Sequence, residues 1–322
     1  MRFVDADEIR RVLTFPKLIA GMEAAHRRPK IDVVDASLGS EAGHYFVRHA
    51  VDPGRLMASK MFTSFPQNLT KNIPAVQAVC VVFDGTNGSP LAVLDGTEIT
   101  YWRTAADSAH GAKILARPDA STLLVVGAGG MSRRLVHSHR SVRPSLKRVL
   151  IWNRTVARAQ EVADYLKRYG IDALVARDLD AATREADVIS ACTRSHEPLI
   201  KGANLKPGAH LDLVGAFKAD MRETDDEAMR RAHCIVVDER EAALTEGGDV
   251  VLALASGAIG PDKIAGDLRD LVLGNIKGRS SDDDITVFKS VGFALEDLAA
   301  AKAVYDGELR GAPAGHSAAT EH

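Results

Sequence analysis

The middle of the chain alternates short apolar runs with longer amphipathic stretches. Six apolar runs predict strands: TLLVVG (122–127), RVLIWN (148–153), DALVAR (172–177), DVISACT (187–193), AHLDLVGA (209–216) and CIVVDE (234–239). Between them lie stretches such as VARAQEVADYLKRYG, in which apolar residues recur at helical spacing. Strands that alternate with crossover helices predict a doubly wound parallel sheet of the Rossmann type.

The regions on either side of this sheet follow a different pattern. Before it, the runs HYFVRHA, LMASKMF, VQAVCVVFD and PLAVLDG predict antiparallel strands, and the turn residues GTNG (85–88) join the last two. After it, DITVFKSVG (284–292) predicts a further strand, and FALEDLAAAKAVYDGEL predicts a long helix that returns to the first region. The small and polar residues from Gly311 onward predict a frayed tail.

Length and composition fit an α/β enzyme of two domains. A chain of 322 residues exceeds the usual size of a single core, and we expect one domain at 118–293 and a discontinuous one at 1–117 and 294–322. The net charge of -2 gives no electrostatic reason to expect nucleic acid or an anionic membrane as a partner. With no signal peptide pattern and no window approaching 18 apolar residues, the expected location is cytoplasmic.

The three cysteines do not suggest a metal site or a disulfide. Cys80, Cys192 and Cys234 each stand inside an apolar run, without the paired spacing of metal ligands. We expect them to pack as small hydrophobic residues, and we expect no bound metal.

A glycine turn follows the first strand of the parallel sheet. Gly127 permits the tight turn, Gly129 lets the backbone approach a pyrophosphate, and Ser132 is small enough for close contact between helix and strand. Gly130 and Met131 complete the turn, and the helical run RRLVHSHRSV follows it. A turn in this context predicts a dinucleotide site, with the phosphates at the helix N-terminus. Thr193, after the fourth strand, is expected near the nicotinamide.

The end of the second strand indicates which dinucleotide binds. NAD-binding domains usually place an acid here for the ribose 2′-hydroxyl, but this chain has Asn153, Arg154 and Thr155. A guanidinium and a hydroxyl are matched to a 2′-phosphate, so we expect NADPH to bind, with NADH weaker. The alternative is that Arg154 is an ordinary exposed residue at a helix start.

Several motifs together resemble the ornithine cyclodeaminase/mu-crystallin family. They are ITYWRTAADSAHGAKILARPDA (99–120), ASKMF with the downstream Asn72-Ile73-Pro74, LAVLDG, NRT, VGAFKADMRETD and GRSSDDDITVFKSVGFALEDLAAAKAVY. The resemblance covers about residues 44 to 305. It implies a Rossmann domain plus a second α/β domain that binds substrate and dimerises, so we expect a homodimer.

The resemblance also implies a set of substrate-binding residues. In the family, an arginine on an early strand, a lysine on the next strand and the arginine of RTAA hold a substrate carboxylate, and they correspond to Arg48, Lys60 and Arg103. We expect Arg103 at a helix start and Lys60 as a possible proton source, and both are assigned as catalytic. Thr104 is expected to contact the substrate or to cap the helix. As alternatives, Arg48 and Lys60 reach solvent or meet an acid such as Asp95.

One departure from the family pattern bears on the reaction. At this position the family's cyclodeaminases have a motif that resembles VGGD, whereas this chain has VGAF, which ends in Phe217. A phenylalanine side chain cannot accept or donate the protons of an amine. The nearby Asp220 is not assigned that role, and Phe217 is expected to form a wall of the substrate pocket. We therefore expect NADPH-dependent reduction of Δ1-pyrroline-2-carboxylate or Δ1-piperideine-2-carboxylate to proline or pipecolate.

Three other functions remain open from the sequence. On the same scaffold, the chain is compatible with cyclodeamination through a substitute acid, or with reductive amination in the manner of the family's alanine dehydrogenases. It is also compatible with a non-enzymatic, NADPH-dependent ligand-binding role like that of mu-crystallin. Each of these functions requires a small molecule as the binding partner, either an imino or amino acid or another small ligand.

Overall fold

The computed structural model describes residues 1–29, 31–40, 43–71 and 73–309, which form two sheets and their covering helices. The tail predicted from Gly311 onward and Asn72 of the family motif lie outside the described residues. None of the described helices is long and apolar enough to cross a membrane.

The first sheet is built almost entirely from the N-terminal third of the chain. Within the described residues its strands are β1 (Arg2–Val4), β2 (Asp32–Ser40), β3 (Gly43–Asp52), β4 (Leu56–Ser64), β5 (Val76–Asp84) and β6 (Pro90–Asp95). Their order is β1-β6-β5-β4-β3-β2, with β1 parallel to β6 and all other pairs antiparallel. The predicted antiparallel hairpins are therefore confirmed.

The second sheet is parallel throughout its described strands. They are β7 (Thr122–Val126), β8 (Arg148–Trp152), β9 (Ala173–Val175), β10 (Val188–Ala191), β11 (His210–Leu213), β12 (Cys234–Val237), β13 (Ile264–Asp267) and β14 (Thr286–Lys289). The order β13-β12-β14-β11-β10-β7-β8-β9 runs outward in two directions from β7 and β10, as in a doubly wound sheet. The predicted fold class is confirmed.

Helices cover both sheets. Near the first sheet are α1 (Ala6–Val12), α2 (Phe15–His26) and α3 (Gly96–Leu115). Around the second sheet are α4 (Ser132–Val142), α5 (Val156–Lys167), α6 (Leu179–Glu185), α7 (Asp226–Arg231), α8 (Arg240–Glu246), α9 (Gly248–Ala255) and α10 (Leu268–Leu273). The last helix, α11 (Ala294–Val304), ends in a turn of π-helix, Tyr305–Leu309.

The last helix returns to the first sheet, as the sequence predicts. Its apolar residues Leu295, Leu298 and Val304 belong to the same buried core as Leu18 of α2 and Leu94 of β6. The two-domain division at 118–293 stays a prediction. Two short strands, β1 and β13, and the nine-residue β2 are absent from the strands that the sequence predicts.

Helix α3 lies between the two sheets and contacts both. It packs against α2, α11 and β5 on one side and against α4, β11 and β14 on the other. Close packing needs small residues, and Ala105, Ala109 and Gly111 are buried in this helix. A Cβ on Gly111 would lie 2.6–3.0 Å from ring atoms of Phe288 in β14, so a side chain has no room there.

Replacing Gly111 by alanine should therefore destabilise the protein. The added methyl group would overlap the buried ring of Phe288, and overpacking of this kind costs about 1–3 kcal/mol. Gly21 in α2 is the matched control, because a Cβ there meets no atom within 4 Å. Gly21→Ala should stabilise the protein by up to about 1 kcal/mol through backbone entropy. Thermal unfolding measures both variants, and a Gly111→Ala protein as stable as Gly21→Ala would contradict this packing of α3.

Candidate active site

Four polar side chains form a row across the first sheet. The strand register pairs Asp35 of β2 with Arg48 of β3, Arg48 with Lys60 of β4, and Lys60 with Cys80 of β5. Since side chains directly opposite in an antiparallel sheet share a face, all four point to the side that α11 covers. Nε of Arg48 lies 3.2 Å from Oδ2 of Asp35. The structure thus brings together two of the predicted carboxylate-binding cations.

The first turn of α11 supplies the anions for these buried cations. Nζ of Lys60 lies 2.6 Å from Oδ1 of Asp297, and the same oxygen lies 3.3 Å from Nε of Arg103. Nη1 of Arg103 donates to Oε2 of Glu296 at 2.7 Å. All four side chains are less than a tenth exposed. Negative charges in the first turn of a helix interact favourably with the helix dipole. Glu296 and Asp297 are therefore stabilised both by the dipole of α11 and by the two cations.

The local structure around Arg103 corrects two sequence-based expectations. Helix α3 begins at Gly96, where the side chain of Asp95 accepts a hydrogen bond from the backbone of Glu98 at 2.8 Å. Arg103 and Thr104 consequently lie in the middle of the helix, so the expected helix start at Arg103 and the capping role of Thr104 are wrong. Asp95 acts as the cap, and the acids that meet Arg48 and Lys60 are Asp35 and Asp297.

Burial and neighbouring charges act against each other on the pKa values of Lys60 and Asp297, and both values are lowered. Burial lowers the pKa of Lys60 to about 7, although Asp297 acts against this shift. Burial would raise the pKa of Asp297, but Lys60 and Arg103 together hold it below its usual value. For Arg103, burial disfavours the charge, yet Asp297 and Glu296 raise its pKa above the usual value. The pair therefore contains a lysine that can lose its proton near neutral pH.

Two further carboxyl groups lie near Arg103 and form a cluster with Glu296. Asp107, Asp238 and Glu296 are buried, and one oxygen from each lies within 4.8 Å of the others. Oδ2 of Asp238 accepts backbone N–H groups of Val291 and Gly292. Gly292 has a φ of +78°, and a side chain there would overlap the guanidinium of Arg103, so glycine is required. Sequence reasoning missed this cluster.

The glycine turn has the geometry that a dinucleotide needs. Gly127 has a φ of +118°, and its N–H donates to the carbonyl of Trp152 at 2.8 Å. No atom lies within 4 Å of a Cβ placed on Gly129, so the backbone there is open to a ligand. Ser132 is buried, and its hydroxyl donates to the carbonyl of Gly129 at 2.7 Å.

Two other residues of the turn, Gly130 and Met131, lie toward helix α3. A Cβ on Gly130 would meet the hydroxyl of Tyr101 at 2.5 Å, and Met131 packs against the core that includes α3. The open side of the turn can therefore accept a phosphate group. Its other side packs against Tyr101 and the core that includes α3.

The end of β8 presents the three residues predicted for the adenosine ribose. Nδ2 of Asn153 donates to the carbonyl of Thr155 at 3.0 Å, which shapes the turn. Arg154 and Thr155 are exposed, and Arg154 forms no ion pair with any described residue. Its guanidinium is therefore available to a ligand.

Thr193 lies at the end of β10, held by an acid that the sequence did not single out. Its N–H and its hydroxyl both donate to Oε1 of Glu223, at 2.6 and 2.7 Å. Oε2 of Glu223 accepts the N–H of Gly215 at 2.7 Å. Burial and the neighbouring Asp249 raise the pKa of Glu223 to about 7. Glu223 thus joins the ends of β10 and β11, the edge where parallel sheets bind ligands.

Phe217 follows β11 and is partly buried. No described contact joins its side chain to the three cations, so its role as a pocket wall stays a prediction. Asp220 is exposed and adjoins His196, with Oδ2 3.5 Å from Nδ1 of His196, which agrees with giving it no catalytic role. A different aromatic residue lies beside the cations: the Phe62 ring centre is 5.2 Å from Nζ of Lys60.

Comparisons with known proteins agree with this arrangement. The model of the ornithine cyclodeaminase/mu-crystallin family matches residues 33–311. The Δ1-pyrroline-2-carboxylate reductase of Paracoccus denitrificans is 41% identical over 286 residues, which are 89% of this chain and 90% of that protein. The ketimine reductase mu-crystallin of Mus musculus is 41% identical over 253 residues, which are 78% of this chain and 75% of that protein.

A solved structure with a similar fold agrees with these sequence matches. Thermococcus litoralis Δ1-pyrroline-2-carboxylate reductase, in complex with NADH and L-proline, matches with a TM-score of 0.91 and 29% identity. The match covers 96% of this chain and 98% of that one. The resemblance found in the sequence is confirmed: the chain belongs to the ornithine cyclodeaminase/mu-crystallin family.

Proposed function

We propose that this chain uses NADPH to reduce a small cyclic imino acid, Δ1-pyrroline-2-carboxylate or Δ1-piperideine-2-carboxylate, to proline or pipecolate. The observation that carries the proposal is the convergence of Arg48, Lys60 and Arg103 around the first turn of α11. Three cations at one place suit a substrate with a carboxylate. The relatives named as a pyrroline-2-carboxylate reductase and a ketimine reductase support the same chemistry.

Arg103 is the central carboxylate ligand in this proposal. Glu296 and Asp297 hold its Nη1 and Nε, whereas Nη2 forms no hydrogen bond with any described residue. The guanidinium is therefore fixed in place with one donor to spare. A fixed donor orients the substrate carboxylate, and hence the C=N bond beside it, without a further entropic cost.

Lys60 is the proposed proton donor to the imine nitrogen. Its lowered pKa, about 7, allows it to carry a proton at neutral pH and to release it readily. The nicotinamide cofactor supplies the hydride that is added to C2. Together the hydride and the proton convert C=N to CH–NH.

The preference for NADPH rests on the end of β8. Arg154 is exposed and unpaired there among the described residues, and no acid stands where NAD-binding domains place one. A guanidinium pairs with a 2′-phosphate, which a carboxylate would repel.

Reduction is favoured over cyclodeamination by the loop after β11. Phe217 has no group that exchanges protons, and the nearby Asp220 is exposed and beside His196. Of the acids near Arg103, Asp297 is already bound to Lys60 and Glu296 to Arg103 itself.

We also propose a homodimer through the uncovered face of the first sheet. Val34, Leu38, Tyr45 and Val79 alternate with the covered row, so they lie on the opposite face, and each is at least 40% exposed. A group of exposed apolar side chains on one face is typical of a protein interface. A second copy of this chain fits the homodimer implied by the family resemblance.

Replacing Arg154 by alanine should change the cofactor preference. We expect the wild-type protein to favour NADPH over NADH by at least about tenfold, roughly 1.4 kcal/mol of phosphate contact. Arg154→Ala should weaken NADPH much more than NADH, as measured by fluorescence titration of each cofactor. Arg184→Ala, at an exposed arginine of α6, is the control and should leave both affinities unchanged. Equal weakening of both cofactors by Arg154→Ala would refute the 2′-phosphate assignment.

The purified protein should oxidise NADPH with Δ1-pyrroline-2-carboxylate, form proline and release no ammonia from ornithine. Absorbance at the NADPH band and an ammonia assay measure the two reactions. Arg103→Lys keeps a charge beside Glu296 and Asp297 but loses the planar donor edge. We expect it to lower kcat/KM for the imine by about 10²-fold or more while cofactor affinity stays nearly intact.

Three results would contradict parts of this proposal. Ammonia release from ornithine that rivals imine reduction would show that another acid does the proton chemistry. NADPH oxidation only with a 2-oxo acid and ammonia would indicate an amino-acid dehydrogenase. An Arg103→Lys protein with undiminished imine reduction would mean that the carboxylate binds elsewhere.

Replacing Leu38 by lysine should weaken the dimer. The charge would be buried in the proposed interface, at a position paired with Tyr45. Light scattering should give twice 34.5 kDa for the wild type and a shift toward 34.5 kDa for Leu38→Lys. Leu174→Lys, at an exposed leucine of β9, is the matched control and should remain dimeric. A monomeric wild-type protein would exclude this interface.

A further inference from the structure

The buried charges around Arg103 do not balance. Four carboxyl groups, those of Asp107, Asp238, Glu296 and Asp297, surround two buried cations, Lys60 and Arg103. If all six groups were ionised, the cluster would carry a net charge of -2 away from water. Burial of unbalanced charge is costly, so the cluster in its resting state must hold protons.

Several oxygens in the cluster lack the contacts that stabilise an ionised carboxylate. Oε1 of Glu296 accepts no hydrogen bond from any described residue. Neither oxygen of Asp107 accepts one of standard geometry, although the hydroxyl of Ser290 adjoins it. Asp238 differs, because its Oδ2 receives two backbone N–H groups. The first proton therefore belongs on Asp107 rather than on Asp238, and Glu296, whose Oε2 alone has a donor, is the next group to be protonated.

The groups around the cluster do not supply the missing positive charge. Among the described residues, the other titratable groups that face the cluster from the elements packed against it are Asp35 (β2), Arg48 (β3), Cys80 (β5), His26 (α2) and His110 (α3). Arg48 is paired with Asp35, and burial raises the pKa of Cys80 to about 12, which keeps the thiol neutral. Burial lowers the pKa of His26 to about 3 and of His110 to about 4, so both imidazoles are neutral.

A divalent cation fits this place less well than a proton does. The guanidinium of Arg103 is already bonded to Glu296, and it would repel a metal ion bound to the same carboxylate. Oδ2 of Asp238 is occupied by the two backbone donors.

We propose that Glu296 takes up a proton when an anionic substrate binds at Arg103, with the charges of Asp238 and Asp297 nearby favouring that uptake. This inference rests on the proposed function, since it takes the substrate carboxylate to bind at Arg103. A bound carboxylate adds one more negative charge to a site that already has an excess. Glu296 is the carboxyl group hydrogen-bonded to that guanidinium, so its charge is the one that the substrate makes unfavourable.

The resting properties of Glu296 agree with this coupling. Burial, with Asp238 and Asp297 nearby, raises its pKa to about 7 despite the neighbouring Arg103. A bound anion must raise that pKa further. Between the two pKa values the free protein binds fewer protons than the complex, so substrate affinity must fall as pH rises above about 7.

Calorimetry of the NADPH-saturated protein with pyrrole-2-carboxylate, a planar carboxylate that cannot be reduced in this way, tests the coupling. Titrations at pH 8 in phosphate and in Tris, which differ in ionisation enthalpy, give the number of protons exchanged. We expect uptake approaching about one proton per site and a Kd that rises up to about tenfold per pH unit above pH 7.

Two variants assign the proton. In a Lys60→Arg background, where that side chain keeps its charge at every pH tested, Glu296→Gln should abolish uptake and make the Kd independent of pH. Asp107→Asn should leave the uptake in place, because a protonated Asp107 already carries no charge. Glu98→Gln is the matched control, since Glu98 is a buried, arginine-bound acid on the same helix as Asp107, and it should retain wild-type uptake. If Glu296→Gln fails to fold, proton uptake and the pH dependence of the Kd in Lys60→Arg still decide the matter, because that variant has no lysine that titrates near pH 7.

The outcomes separate this inference from the proposed function. Tight binding with no proton uptake and a flat pH profile would overturn the inference alone, whereas imine reduction would stand. Uptake that persists in Glu296→Gln would assign the proton to another group and overturn it as well. Loss of uptake on adding magnesium or manganese salts would show that a metal balances the charge. If pyrrole-2-carboxylate binds neither the wild-type protein nor any variant, and the protein reduces no imine, then both the carboxylate site at Arg103 and this inference are wrong.

Discussion

Two buried cations, Lys60 and Arg103, set the main constraint on this structure. A buried ammonium or guanidinium group is stable only beside an anion, and Glu296 and Asp297 are those anions. Both acids lie in the first turn of α11, almost two hundred residues after Arg103. The C-terminal helix must therefore return to the first sheet, and the apolar side of α11 closes the core there.

The same constraint connects the two sheets. Asp238, which follows β12 of the parallel sheet, binds the backbone at Gly292, and Gly292 lies directly against the guanidinium of Arg103. Helix α3 carries Arg103 and Asp107 and packs on β14 through Gly111. The surroundings of Arg103 are thus built from both parts of the molecule. A nicotinamide bound at the strand ends of the parallel sheet would be held at a fixed position relative to the guanidinium of Arg103.

Much of the fold could be predicted from the sequence, because most strands have strong apolar patterns. The glycine turn also has a specific signature, and its open backbone at Gly129 was expected. Strand β13 was missed because Ile264–Asp267 is short, contains glycine and forms a strand through pairing with β12. The start of α3 was placed too late because Gly96 and the β-branched residues after it disfavour a helix, and tertiary packing overrides that preference.

The site could be predicted only in part. The motifs indicated Arg48, Lys60 and Arg103, and the structure brings these three together, while their roles stay predictions. Glu296 and Asp297 were missed because acids in a first helical turn are common for reasons of the helix dipole alone. Their significance comes from pairing across long sequence separation. Glu223 was missed for a similar reason, since only the fold shows that it joins the ends of β10 and β11.

We infer that Arg103, held by Glu296 and Asp297, binds the carboxylate of a cyclic imino acid beside the nicotinamide. A crystal structure of the protein with NADP⁺ and L-proline tests this most directly. The account predicts a proline carboxylate oxygen within about 2.7–3.2 Å of a guanidinium nitrogen of Arg103, with the second oxygen facing Lys60 or Arg48. A proline carboxylate bound to other residues, with Arg103 contacting only Glu296 and Asp297, would contradict it.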